Sequence, residues 1–192
     1  MIRAPYRLTE TTGERARLGL VVLQVDETIE HDFRRMFDPR EVALHVTRVP
    51  SGATLTRETI LPMEAALPGA AGLLPGAAAF DAVAYACTSG ATLLGGARVG
   101  ALVRDAVPTR HVTDPLAAAL SAFRALGVRS VGVVSPYVAP VAAQLLAAFE
   151  SAGLATPVCA GFEESVEAKV ARIDPASTAA AARRVGASAE VE

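Results

Sequence analysis

The chain predicts an α/β fold with a mainly parallel sheet and helices on both faces. Three observations carry this. Short apolar runs at residues 18–23 (LGLVVL), 82–86 and 130–134 (SVGVV) have the length and continuity of strands buried on both faces. Stretches with helix caps, first-turn prolines and terminal glycines separate them. The alternation runs twice, with a break near Thr113, where a marked helix opens a second strand–helix series. Residues 1–112 are therefore expected to form one lobe and residues 113–192 a second, tightly packed against it. The composition allows this: 192 residues, 52% of them hydrophobic, suffice for one large or two small cores.

Residues 1–16 read as a loose lead-in, and 18–23 as the first strand. Residues 28–37 read as a helix, with Asp26 or Thr28 as cap, Glu27 and Glu30 in the first turn, and Pro39 as its stop. Glu30 and Arg34 stand four apart and are placed to pair. Residues 42–49 form a second strand. The Ala- and Pro-rich stretch 56–76 predicts one or two short helices broken at Pro62, Pro68 and Pro75. Residues 82–86 form the third strand, ending in Cys87, and a Gly-studded helix over 91–106 follows.

Residues 110–112 form a short fourth strand. The next helix has Thr113 or Asp114 as cap, Pro115 in its first turn, Leu116, Leu120 and Phe123 on one face, and Gly127 as its stop. Residues 130–134 form the fifth strand. Ser135-Pro136-Tyr137 turns the chain into a helix with Leu145, Leu146 and Phe149 inward. Residues 155–160 form a sixth strand, which Pro157 places at an edge. Helices over 165–173 and 176–185 complete the pattern.

Charge and composition exclude several classes. A net charge of -2 gives no basic surface for nucleic acid. No apolar run reaches the roughly 18 residues of a membrane helix, and the polar N-terminus lacks a signal-peptide core. Two distant cysteines do not make a disulfide framework. A cytoplasmic protein with no membrane or nucleic-acid partner is the expectation.

The candidate chemistry centres on Cys87. It ends a strand and precedes Thr88-Ser89-Gly90 and a helix, the place where open α/β sheets bind ligands. Unpaired N–H groups and a helix dipole there favour a thiolate, so a depressed thiol pKa is expected. The alternative is a small buried hydrophobe. Cys159, within the sixth strand, is expected in the core. Asp26 reads most simply as a helix cap, and Glu163, Glu164 and Glu167 as solvated charges matched to a helix dipole. Tyr137 reads as a core or interface aromatic. Gly90, Gly95, Gly96 and Gly100 fit neither the dinucleotide nor the Walker spacing. His31, His45 and His111 lack metal-ligand spacing, so neither nucleotide nor metal is expected.

Four segments, RLGLVVLQVDETIEHDFRRM (17–36), AYACTSG (84–90), VTDPLAAALSAFRALGVRSVGVVSPY (112–137) and GFEESVEAKVARIDP (161–175), together resemble the maleate cis–trans isomerases. These lie within the aspartate/glutamate racemase superfamily, which includes arylmalonate decarboxylase. The resemblance spans nearly the whole chain and implies two Rossmann-like lobes with a cofactor-independent site in the cleft between them. It implies Cys87 as the catalytic cysteine. It implies Thr88, Ser89 and Gly90 as donors to a carboxylate or enolate oxygen, and Tyr137 as a carboxylate contact. A homo-oligomer acting on a small carboxylate is the expected assembly.

The chain departs from that pattern in three places. Asp26 and Glu167 stand where maleate isomerases have asparagines. The family's second cysteine would lie on a strand beyond Val191, which led to the expectation of an incomplete second lobe with reduced stability and activity. Carboxylates in place of amides repel a dicarboxylate and suit a substrate with an amine or amidinium. The turn LQVDETIEHD and the ACTSG segment are also similar to the ectoine-utilisation branch, whose substrates carry one carboxylate on a cyclic amidinium. The expected activity is cysteine-assisted proton transfer on an amino- or amidino-carboxylate. Maleate-type isomerisation, amino-acid racemisation and non-catalytic binding remain alternatives.

Overall fold

The first apolar run becomes the central strand of a parallel sheet. In the computed structural model, which describes residues 2–8, 13, 15–52 and 57–192, strand β1 (Ala16–Leu23) lies between β2 (Val42–Val49) and β3 (Phe80–Tyr85). Strand β4 (Thr109–Thr113) extends the sheet beyond β3, giving the order β2-β1-β3-β4 with every pair parallel. Leu20, Val21 and Val22 are fully buried, as a continuous apolar run requires of a strand covered on both faces. Thr56 and residues 1, 9–12 and 14 of the expected lead-in lie outside the described residues.

Helix α1 (Ile29–Met36) follows β1 and carries the expected Glu30–Arg34 pair at 3.0 Å. Helices α2 (Arg57–Ile60) and α3 (Pro62–Ala71) follow β2. Pro68 does not break α3, contrary to expectation. It sits inside the helix, and the chain continues to Ala71 with Gly72 N–H bonded to the Pro68 carbonyl at 2.9 Å. Leu67, Ala70 and Ala71 beside it are buried, and this burial offsets the lost backbone bond.

The helix expected over 91–106 is two helices, α4 (Thr88–Leu94) and α5 (Gly96–Ala106). The break is Gly95, at φ 83° and ψ 133°, a conformation that side chains rarely adopt. No atom would meet a Cβ there. Gly95→Ala is therefore expected to cost about 1–3 kcal/mol through backbone strain alone. A lower denaturant midpoint with an unchanged slope would show it, and an unchanged midpoint would refute it.

The second series begins at α6 (Pro115–Leu126), capped by Asp114, whose carboxylate accepts from Ala117 N at 2.9 Å. Strand β5 (Ser130–Ser135), helix α7 (Ala139–Ser151) and strand β6 (Ala155–Gly161) follow. Strands β5 and β6 form a separate parallel pair whose register shifts between Ser130 and Gly132, opposite Pro157. The ring that cannot donate thus sits where the ladder is already irregular. Val131, Val133, Leu145, Phe149 and Leu154 make a second core, with Leu116, Leu120 and Phe123 of α6 packed on it.

Helix α8 (Glu167–Val170) is far shorter than the expected 165–173, and α9 (Pro175–Gly186) covers the other face of β5. Gly132 leaves room for Val185 of α9, since a Cβ there would overlap the valine. Cys159 is exposed rather than in the core. It alternates outward on β6, where exposed and half-buried positions simply take turns. The carbonyl of Glu190 accepts from the Ser130 hydroxyl, and Glu192 N–H donates to the Ser130 carbonyl at 3.2 Å. These bonds hold the last residues against the start of β5. Among the described residues no helix is long and apolar enough to cross a membrane.

Candidate active site

Parallel pairing brings the carboxyl ends of β1 and β3 side by side, with Val21 in register with Tyr85. One further bond, Ala86 N to the Val21 carbonyl at 2.8 Å, carries the ladder to the residue before Cys87. Cys87 keeps extended dihedrals, φ -140° and ψ 108°, and caps α4. Its Sγ accepts from Gly90 N at 3.2 Å and lies 3.6 Å from Ser89 Oγ. On the neighbouring strand Asp26 turns the chain into α1, its Oδ1 accepting from Thr28 N at 2.8 Å and Ile29 N at 2.9 Å. The N-cap of α1 is Thr28, which makes no side-chain cap bond of its own; Asp26, two residues earlier, accepts from that end of the helix instead, and the same carboxyl also faces a cavity.

The second series supplies the opposite wall. Ser135, at the end of β5, accepts from Tyr137 N at 3.1 Å and sets the Pro136-Tyr137 turn. The segment leaving β6 is tied beneath that turn. Phe162 N bonds the Ser135 carbonyl at 2.9 Å, and Glu164 N bonds the Pro136 carbonyl at 2.8 Å. Glu163 adopts a left-handed conformation at φ 53°, and the Glu164 carboxylate accepts from Ser165 N and Val166 N, both at 2.9 Å. These bonds hold the chain so that α8 begins with Glu167 facing Cys87 and Asp26.

The result is one open cavity of about 340 Å³. Asp26, Cys87, Thr88, Ser89, Tyr137 and Glu167 all line it, with Thr28, Asp32 and Pro115 among their neighbours. Helix α4 packs against both α6 and α7, which fixes Thr88 and Ser89 opposite Tyr137. Among the described residues three carboxyl groups, Asp26, Asp32 and Glu167, face this space, and no lysine or arginine lines it. A weak exposed ion pair, Arg172–Glu27 at 3.6 Å, joins the two walls at the rim.

Two expectations need correction. Gly90 is not a free donor, because its N–H is taken by the Cys87 sulfur. The first-turn amides of Thr88 and Ser89, with their hydroxyls, are the groups left to meet a ligand. Nor is the Cys87 thiol depressed. The side chain is only 4% exposed, and burial raises its pKa above the ordinary thiol value. The bonds from Ser89 and Gly90, and then the nearby Tyr85 hydroxyl, pull the other way without overcoming burial, and the Glu167 charge adds to the rise. At neutral pH Cys87 rests as a thiol.

Glu167 is half-buried, and burial followed by the Asp26 charge raises its pKa. It is therefore not the solvated helix-end charge that its position suggested; Glu163 is the exposed one of the three glutamates, and Glu164, itself half-buried, accepts from Ser165 N and Val166 N and stands 3.6 Å from Lys169. Tyr137 is pushed up to about 12, chiefly by burial and then by Cys87, so its phenol keeps its proton.

Sequence reasoning missed two residues. Asp32 lines the cavity from α1. Tyr85 lies directly behind Cys87 with no exposed surface. The signal for Tyr85 was present: two residues apart on one extended segment, it and Cys87 share a face.

No protein-family model and no curated protein matches the chain. Solved structures do. Nocardia farcinica maleate cis-trans isomerase, as a cysteine-to-serine variant with a covalently bound succinylcysteine intermediate, superposes with a TM-score of 0.77 at 25% identity. That match covers 88% of this chain and 72% of the isomerase. Maleate isomerase from Pseudomonas putida S16 gives 0.71 at 24% identity, over 84% and 70% of the two chains. A liganded variant of arylmalonate decarboxylase gives 0.75 at 22% identity, over 91% and 73%. The α/β fold with mainly parallel sheets is the fold of these enzymes.

Proposed function

We propose that the chain is a cofactor-independent isomerase or racemase that moves a proton on a small amino- or amidino-carboxylate. The observation that carries this is that Cys87 and Glu167 line one cavity, which among the described residues has three carboxyls and no basic side chain. The likeness to maleate isomerase supports the reaction type, since the Nocardia enzyme holds a covalent succinylcysteine. The charge of the cavity supports the substrate class. A dianion such as maleate would face Asp26, Asp32 and Glu167 without a counter-charge, whereas an ammonium or amidinium group would be attracted to them.

The protonation states assign the roles. Cys87, a thiol at neutral pH, is the proton donor, and Glu167, across the cavity, is the base. Glu167 takes the proton from the carbon beside the substrate carboxylate. Cys87 delivers its own to the opposite face, leaving a thiolate and a protonated glutamic acid, and reversal or solvent exchange resets the pair. The Thr88 and Ser89 donors and the Tyr137 phenol hold the carboxylate as its carbon gains enolate character. A cyclic amidinium carboxylate of the ectoine type meets these charge requirements.

Deuterium exchange at the carbon adjacent to the carboxylate, followed by NMR in D2O, tests this directly. Zwitterionic amino- and amidino-carboxylates are expected to exchange, and Cys87→Ala to abolish net inversion. The second reading, maleate isomerisation, is favoured by the structural likeness. Conversion of maleate faster than exchange in any zwitterion would establish it instead.

A further inference from the structure

We infer that Tyr85 is a positioning residue for Cys87, its buried hydroxyl donating a hydrogen bond to the sulfur once the thiol has given up its proton. Tyr85 is among the largest fully buried side chains, with no exposed surface, yet among the described residues its hydroxyl makes no well-aligned hydrogen bond; the Cys87 sulfur stands beside it, close enough that each group shifts the other's pKa. A buried phenol without a partner costs about 1–3 kcal/mol, so its presence calls for a reason. The oxygen is aimed at the start of α4. A Cβ on Gly90 would overlap it, and that same Cβ would stand 3.0 Å from Cys87 Sγ. Hydroxyl and sulfur thus share the space that glycine leaves empty. Strand periodicity puts them there, because Tyr85 and Cys87 lie two residues apart on one extended segment.

The resting thiol is a weak acceptor, which leaves the phenol without a well-aligned bond. A thiolate is a strong one. When Cys87 donates its proton to substrate, the sulfur keeps the electron pair and Tyr85 meets it beside Gly90 N–H and the Ser89 hydroxyl. The phenol proton stays on oxygen throughout, since burial, with Cys87 beside it, holds Tyr85 far above the ordinary tyrosine range. The other titratable groups that face this sulfur are Glu167 from α8 and Tyr137 from the turn after β5. Asp26 and Asp32, at the β1–α1 end, line the same cavity. All three carboxylates oppose a thiolate, which makes a donor behind the sulfur the more useful.

This inference rests on the proposed role of Cys87, but its test needs no substrate. The pH dependence of iodoacetamide labelling of Cys87 is measured in a Cys159→Ser background, because Cys159 is exposed. Tyr85→Phe fills the same volume and is expected to melt at or slightly above the parent temperature, having lost an unpaired hydroxyl. Its labelling profile is expected to move to higher pH by about one unit, on the order of a tenfold slower reaction at a given pH. Gly90→Ala, whose methyl displaces the hydroxyl while keeping the tyrosine, is expected to move the profile the same way. Profiles that overlay the parent in both variants would overturn the inference. Unchanged turnover with the shift intact would count against the proposed reaction alone.

Discussion

Glu167→Gln is expected to slow turnover by about 10²–10⁴-fold and to remove the acid-side limb of the pH–rate profile. The sign follows from the two raised groups. As the base, Glu167 must be ionised, so activity rises with pH through a pKa above the ordinary glutamate value. As the donor, Cys87 must keep its proton, so activity falls again at a pKa above the ordinary thiol value. Glutamine cannot take the proton, and what activity remains should show only the alkaline limb. Asp26→Asn keeps a side chain able to cap α1 but removes the charge that raises Glu167, so it should move the acid-side limb to lower pH. An acid-side limb that survives in Glu167→Gln would mean that another cavity carboxyl, Asp26 or Asp32, is the base.

The largest stability effect is expected from Phe80→Ala. Phe80 opens β3 with no exposed surface, its ring edge-on to His45 at 5.6 Å between centroids. The Arg17 guanidinium lies 4.5 Å over the same ring. That guanidinium is itself held by the carbonyls of Ala78 and Pro75 at 2.5 and 2.6 Å, in a side chain only 8% exposed. Truncation would leave a cavity and also strip the apolar cover from a buried charge. A loss of about 3–5 kcal/mol is expected, lowering the melting temperature on the order of 6–20 °C for a chain of this length. A drop under about 2 °C would mean that the first core tolerates the loss by collapsing around it.

Much of the fold was legible because its signals are local. The run at 18–23 is apolar on both sides of its pleat, so it had to be a strand covered on both faces, and it is the central one. Asp114-Pro115 and Gly127 marked the ends of α6, where capping chemistry depends on neighbouring residues only. Pro68 misled because its cost is local while the compensating burial of Leu67 and Ala71 is tertiary. Gly95 misled in the opposite sense: glycine was read as tolerated within one helix, where the backbone in fact changes direction. The short α8 was hidden for the same reason, since side-chain and turn bonds from Glu164 and Pro136 hold residues that periodicity alone would have made helical.

The sequence by itself determined which residues stand at strand ends: Asp26, Cys87 and Tyr137 follow β1, β3 and β5, and parallel pairing delivers Asp26 and Cys87 to one edge of the first sheet and Tyr137 to the matching end of the second. Only the tertiary structure decided what those residues are chemically. Burial turned the thiolate expected at Cys87 into a thiol. The approach of α8 to the β1–α1 turn made Glu167 a half-buried carboxyl with a raised pKa instead of a solvated charge, and packing behind the site left the Tyr85 hydroxyl beside the sulfur. The reason is that ionisation depends on distance and desolvation, which are set by residues far apart in the chain, whereas strand and cap depend on residues within a few positions of each other.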